Sequence, residues 1–182
     1  TVDQVIQKRR TDLPPIKAEW ECRLLNESDI PALQKIYQAV FPSYPFPIHK
    51  AEYLQQTMNS HVAYFGIFEN GQLMAAASCE MDKELLNVEM TDFATYREYR
   101  GNGLASILLN RMEKQMKEQH FQTAYTIARA VSYGMNRVFA NGDYQFGGTL
   151  LNNTNIGGQI ESMNIWHKPL STWSRKSDDG DK

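Results

Sequence analysis

A mixed α/β domain, built on a central twisted sheet of about seven strands with about four helices, is what this 182-residue sequence predicts. Three observations predict it. Residues 62–69 and 72–81 are strand-like and are joined by Asn70-Gly71, the pair that supplies the positive φ angles of a tight hairpin turn. A strand-like run at 88–95 leads through Arg100-Gly101-Asn102-Gly103 into a helix that places Leu104, Ile107, Leu108, Met112 and Met116 on one face. Beyond it the pattern runs strand, helix, strand, strand to the carboxyl end.

Taken in order, residues 1–18 are charged and then carry Pro14-Pro15, so the reading there is an irregular lead-in. Residues 21–25 read as a first strand. Ser28 is the expected helix cap, with Pro31 tolerated in the first turn, and Leu33, Ile36, Tyr37 and Val40 recur at helical spacing. Residues 41–47 hold three prolines and three aromatics and cannot be regular helix. A second helix is expected at 49–58, then the hairpin, then a further strand at 86–95. The helix from Gly103 ends near Gln119, a strand follows at 122–128, and a helix at 132–140 is stopped by Gly142. Strands at 144–151 and 159–168 close the sheet, with Asn152, Asn153 and Asn155 read as a donor-rich bend between them. This divides the chain into a lead-in at 1–18, one domain at 19–170 and a polar tail at 171–182.

A formal charge of −2 gives no electrostatic reason to bind nucleic acid or a membrane. No apolar run approaches the roughly 20 residues that span a bilayer. The amino terminus lacks the apolar core of a signal peptide. The two cysteines, Cys22 and Cys79, suggest no disulfide framework, and with the four histidines they share no metal-ligand spacing. The expectation is a cytoplasmic protein without a metal.

The chemistry centres on Arg100-Gly101-Asn102-Gly103-Leu104-Ala105. Glycines allow close backbone approach, a helix amino terminus offers unpaired N–H groups and a positive dipole end, and arginine adds a permanent cation. Together these hold a phosphate; the bland alternative is a tight strand–helix turn with a solvent-facing arginine. In this element order, Arg100-x-x-Gly103-x-Ala105 resembles the phosphate motif Gln/Arg-x-x-Gly-x-Gly/Ala of GNAT-type N-acetyltransferases, and Glu98-Tyr99 fits that family's lead-in. The resemblance covers roughly residues 21–168. It implies the GNAT-type acyl-CoA N-acyltransferase fold, acetyl-CoA as cosubstrate, and frequent pairing into homodimers. It implies a pyrophosphate on the main-chain N–H groups of Gly101, Asn102, Gly103, Leu104 and Ala105, and a pantetheine arm along the main chain of Phe93, Ala94 and Thr95.

Further segments resemble the β-lysine N-acetyltransferase subfamily: Tyr44-Pro45-Phe46-Pro47, Ala128-Arg129-Ala130, Gly134-Met135-Asn136, Gly147-Gly148-Thr149-Leu150-Leu151-Asn152-Asn153-Thr154-Asn155-Ile156, and Ile160-Glu161-Ser162-Met163-Asn164-Ile165-Trp166. This implies transfer of acetyl to the terminal amine of β-lysine. The alternatives are another small amine, a polyamine, a protein lysine, or a non-catalytic module that only binds the coenzyme.

Attack on a thioester needs a neutral amine, and at pH 7 deprotonating an alkylamine of pKa about 10.4 costs roughly 4–5 kcal/mol. Glu89 and Asp92 are the carboxylates of the strand that precedes the motif. Strand parity sends them to opposite faces, with Glu89 alongside Thr91 and Phe93. Glu89 is the first candidate base and Asp92 the second, either one also suited to binding the amine. The family's proton-donating tyrosine falls at Phe139, and its asparagine at Ser132, so the resemblance fails at both; Tyr133 is the candidate replacement acid, and Ser132 a candidate contact to the cofactor or its sulfur. A thiol of pKa about 8.5 also leaves without a dedicated acid. For the substrate, Arg129 or Asn155 suits its carboxylate, Glu161 its ammonium, and Tyr44 the pocket wall; turn chemistry for the asparagine and a cross-strand pair for Glu161 are the structural alternatives.

Overall fold

The structure, a computed structural model, describes residues 1–10 and 12–171. Its elements are α1 (Val2–Gln7), β1 (Trp20–Leu24), α2 (Ile30–Val40), α3 (Ala51–Met58), β2 (Val62–Glu69), β3 (Gln72–Asp82), β4 (Asn87–Thr95), α4 (Leu104–Glu118), β5 (Thr123–Arg129), α5 (Tyr133–Asn141), β6 (Gln145–Ile156) and β7 (Gln159–Pro169), with short 3₁₀ turns at Glu27–Asp29 and Arg97–Tyr99. The seven strands form one sheet in the order β1-β2-β3-β4-β5-β7-β6. Every neighbouring pair is antiparallel except β4 and β5.

Each face of the sheet carries its own core. On one side α4 and α5 bury Leu104, Leu108, Met112, Met116 and Phe139 against Val88, Met90 and Trp166. On the other, α2 and α3 bury Leu33, Ile36, Tyr37 and Leu54 against Tyr64, Ala76 and Ala94. The Asn70-Gly71 turn adopts φ of 49° and 78°, the geometry that suits a two-residue hairpin. Gly103 and Gln119 bound α4, and Gly142 caps the end of α5.

Three expectations are corrected here. The amino-terminal lead-in is not irregular throughout. Thr1 caps a helical turn in which Val5, 2% exposed, joins the core beside α5, so the described residues form five α-helices rather than four. The cap before α2 is Asn26, which forms a reciprocal capping box with Asp29 around the 3₁₀ turn that contains Ser28. Asn152, Asn153 and Asn155 lie inside β6, at and just beyond a register break between Leu150 and Thr154, and Gly157-Gly158 makes the turn instead. Beyond Ser171, the expected polar tail lies outside the described residues. Among the described residues, no helix is long and apolar enough to cross a membrane.

Candidate active site

β4 and β5 run parallel, but their ladder spans only Asn87–Glu89 against Thr123–Tyr125. Past Glu89 the two strands diverge, and the β5-facing main chain of β4 has no ladder partner. A β-bulge drives this change. Ala76 pairs with Ala94 and Ser78 with Thr91, so Asp92 and Phe93 together oppose one residue of β3. Asp92 takes φ of 54°, a left-handed value that kinks the strand.

The bulge also reverses side-chain parity. Phe93 packs edge-on against Phe139 on the α4–α5 side, ring centroids 5.7 Å apart, while Ala94 enters the α2–α3 core. Asp92 turns to the α2–α3 side, where it accepts hydrogen bonds from Tyr44 and Ser78. It therefore shares the face of Glu89. Opposite faces for the two carboxylates, and a common face for Glu89 and Phe93, are both overturned.

This clustering changes proton affinities. Burial, then the negative charges of Glu80 and Asp92, push the Glu89 carboxyl up to about 7. Burial raises Asp92 as well, although its two hydroxyl donors favour the ionised form. Desolvation raises Tyr44 further above the usual tyrosine range, with the Asp92 charge adding to it. Tyr44 is held by its ring contact with Phe41, 4.9 Å between centroids, so the Pro-rich loop is anchored to both the helix face and the acidic cluster.

At the open end of the cleft, Gly101 and Gly103 have φ of 83° and 75°. These positive angles turn the chain so that α4 starts facing the divergence of the strands. No side chain caps the helix, which leaves its first-turn N–H groups without intrahelical partners. Arg100 is exposed and its Nε donates to the Thr95 carbonyl at 3.3 Å, which ties the guanidinium to the end of β4. A glycine bend, a free helix start and an exposed guanidinium, the elements that suit an anion, thus border an unpaired strand edge.

Across the cleft, Asn136 organises the start of α5. Its Oδ1 accepts from Trp166 Nε1 at 2.8 Å and Asn164 Nδ2 at 2.9 Å. Its Nδ2 donates to the carbonyls of Arg129 at 3.0 Å and Ser132 at 2.7 Å. One buried amide thus links β5, α5 and β7 where the cleft opens. Neither cysteine offers a nucleophile: burial raises the Cys79 thiol well above its ordinary range and pushes Cys22 up to about 11.

Residues 30–140 match the model of the Acetyltransferase (GNAT) family. The chain belongs to the GNAT acetyltransferase family. The fold agrees: the ribosomal-protein-S18-alanine N-acetyltransferase of Escherichia coli superposes with a TM-score of 0.73 at 17% identity, covering 86% of this chain and 97% of that one. A spermidine N-acetyltransferase from Vibrio cholerae, described as dodecameric, gives 0.73 at 15% identity over 90% and 100% of the two chains. Among sequence relatives, the chain is 48% identical over 153 residues to the β-lysine N(6)-acetyltransferase of Methanococcus maripaludis, covering 84% of this chain and 56% of that protein. It is 38% identical over 161 residues to N-acetyltransferase YodP of Bacillus subtilis, covering 88% and 58%. It is 36% identical over 163 residues to the β-lysine N(6)-acetyltransferase of Methanosarcina mazei, covering 90% and 60%. The chain therefore spans somewhat over half the length of these curated relatives.

Within this GNAT domain, Phe139 stands fully buried between Phe93 and Tyr144, with no proton to donate. Ser132 serves as the cap of α5, its hydroxyl accepting from the Met135 N–H at 3.4 Å. Tyr133 opens the same helix with its side chain 44% exposed. Arg129 and Glu161 form a bidentate pair with contacts of 2.7 and 2.6 Å, the cross-strand arrangement anticipated as the structural alternative for Glu161. Each lowers the cost of the other's charge: the pairing holds Glu161 below its usual range and raises Arg129. Asn155 caps the β6–β7 turn, its Oδ1 accepting from Gly158 N–H at 2.9 Å, so it is committed to turn chemistry. Among the described residues, no group of three or more His, Cys, Asp or Glu side chains is placed to hold a metal.

Sequence reasoning missed Ser78 and the organising role of Asn136. Asn136 sits one residue past Gly134-Met135 in a segment already singled out, but only the fold shows that its partners lie 28 and 30 residues away. Ser78 carried no signal, because it lies in a run of small strand residues that reads as core.

Proposed function

We propose that this GNAT domain transfers acetyl from acetyl-CoA to the terminal amine of β-lysine by direct attack in a ternary complex. The observation that carries the reading is Glu89, half-buried at the last paired position before β4 and β5 diverge and poised near neutrality beside a second carboxylate. The names of the 48% and 36% identical relatives support the substrate.

The residues present fit the coenzyme. The first-turn N–H groups of α4, the glycine bends and Arg100 form an anion cradle, and the β5-facing edge of β4 from Phe93 to Thr95, which lies beyond the β5 ladder, is open to an extended amide-bearing arm. Acetyl-CoA would supply the activated carbonyl and a thiolate that leaves at neutral pH. Glu89 takes the proton from the attacking amine. Asp92, fixed by Tyr44 and Ser78, adds negative potential that draws a cationic amine into the pocket. A β-amino acid head carries both charges and so suits the Arg129–Glu161 pair, replacing each partner's counter-ion in kind. The absence of a reactive thiolate at either cysteine favours direct transfer over an acetyl-enzyme.

Two measurements test the reading. Arg100→Ala should weaken acetyl-CoA binding by about 1–3 kcal/mol in calorimetry, as expected for a charged hydrogen bond; unchanged affinity would reject the cradle. Amine profiling should show β-lysine strongly preferred, and equal turnover of spermidine or lysine peptides would reject the substrate. Tight coenzyme binding without amine-stimulated thiol release would instead indicate a non-catalytic module.

A further inference from the structure

A cavity of about 870 Å³ with a mixed polar and apolar lining begins at Gly101–Gly103 and continues along the groove between α4 and α5. That volume lies in the range of small-molecule sites. Its outer wall is the amino-terminal segment. α1 is anchored by Val5 in the core, the Arg10 N–H donates to Asn141 Oδ1 at 2.7 Å, and Pro14 lies directly on Gly103. A Cβ at Gly103 would stand 2.4 Å from the Pro14 ring, so glycine here serves the strap as well as the φ of 75°.

The charges in the cavity sort into paired and unpaired. Lys168 and Glu113 on the floor neutralise each other at 2.9 Å, and Arg9 pairs with Asp143 at 3.7 Å. The guanidiniums of Arg10 and Arg137 line the same space together with the carboxylate of Asp12, none of the three with an ion-pair or hydrogen-bond partner among the described residues, so the unpaired groups carry a net positive charge. Leu13, 53% exposed, presents an apolar face beside them. Two unpaired cations and an apolar surface, continuous with a phosphate cradle, suit a nucleotide that carries a further phosphate on its ribose.

We propose that Arg10, Leu13, Pro14 and Pro15 form the outer wall of the nucleotide end of the coenzyme site, with Arg10 and Arg137 binding the ribose 3′-phosphate of CoA. This rests on the coenzyme reading above. The strap then couples the amino-terminal helix to cofactor binding, although it lies outside the family-matched residues 30–140.

Calorimetry with CoA and dephospho-CoA, which lacks only the 3′-phosphate, tests it. The parent protein should bind CoA roughly ten- to hundredfold more tightly than dephospho-CoA. Arg10→Ala with Arg137→Ala should abolish that preference and leave dephospho-CoA affinity within about twofold, since neither residue would meet any other part of the ligand. Arg100→Ala should weaken both ligands alike. A preference that survives in the double variant, or no preference in the parent, would overturn the proposal while leaving the coenzyme reading intact. Failure of both ligands to bind the parent would instead overturn the coenzyme reading. Pro14→Gly loosens the wall and should lower affinity for both forms; a gain in affinity would mean that the strap excludes the coenzyme, and would sink the proposal.

Discussion

Glu89→Gln is expected to lower turnover with β-lysine by about 10²- to 10⁴-fold at neutral pH, the usual contribution of a positioned general base. The sign of the pH dependence follows from the carboxyl. Only the ionised form accepts a proton, so the parent rate should rise with pH through about 7. Glutamine keeps the shape but cannot accept the proton, so the variant should lose that limb while binding acetyl-CoA normally. Parallel pH–rate profiles for variant and parent would reject the assignment.

The same substitution should have an opposite effect on stability. The folded state binds the Glu89 proton more tightly than the ordinary value of 4.5, so the group favours folding at acid pH. That contribution is fully present below about 4.5 and is lost as pH rises through about 7. At about 1.36 kcal/mol per pH unit, the loss is bounded near 3 kcal/mol. Glu89→Gln should therefore gain stability relative to the parent at pH 8, by about 1–3 kcal/mol, and gain little at pH 4. A variant that loses activity without this pH-dependent gain would indicate a disrupted site rather than a missing base.

Asn136→Ala should be the most destabilising single change in the cleft. It removes the acceptor of the Trp166 indole N–H and of the Asn164 amide, both buried, together with the donor to two carbonyls. Each buried polar group left unpaired costs about 1–3 kcal/mol, so the two buried donors, Trp166 Nε1 and Asn164 Nδ2, set an expected total of roughly 2–6 kcal/mol. For a domain of this size that lowers the melting midpoint by on the order of 5–15 °C. Acetyl-CoA affinity should fall as well, because the amide fixes the carbonyls of Arg129 and Ser132 where β5 leaves β4. A loss under about 1 kcal/mol in thermal or denaturant unfolding would show that the network contributes little.

The elements of this fold announce themselves locally. Asn70-Gly71 can only be a tight turn, the apolar spacing of α4 can only bury one face, and Gly103 can only start a helix from a left-handed bend. The glycine bend and helix start of the proposed phosphate cradle were legible for the same reason, since they are contiguous in the chain. Residues 1–10 were misread because a six-residue helix has little periodicity, and Val5 alone carries its contact with the core. The direction of Asp92 was misread because a bulge is set by pairing with β3, and strict alternation is the only rule a single strand supplies.

By itself, then, the amino-acid order determined the layered α/β architecture, the hairpin and the glycine bend into α4, and it offered Glu89 as a candidate base. Only the tertiary structure decided that Glu89 and Asp92 share one face, that Arg129 and Glu161 meet, that Asn136 binds three elements together, and that the amino-terminal strap walls the groove. The physical reason is range: turns, caps and helical faces arise from neighbours a few residues apart, whereas parity across a bulge, buried hydrogen bonds and shifted proton affinities depend on groups that come together only when distant strands pair.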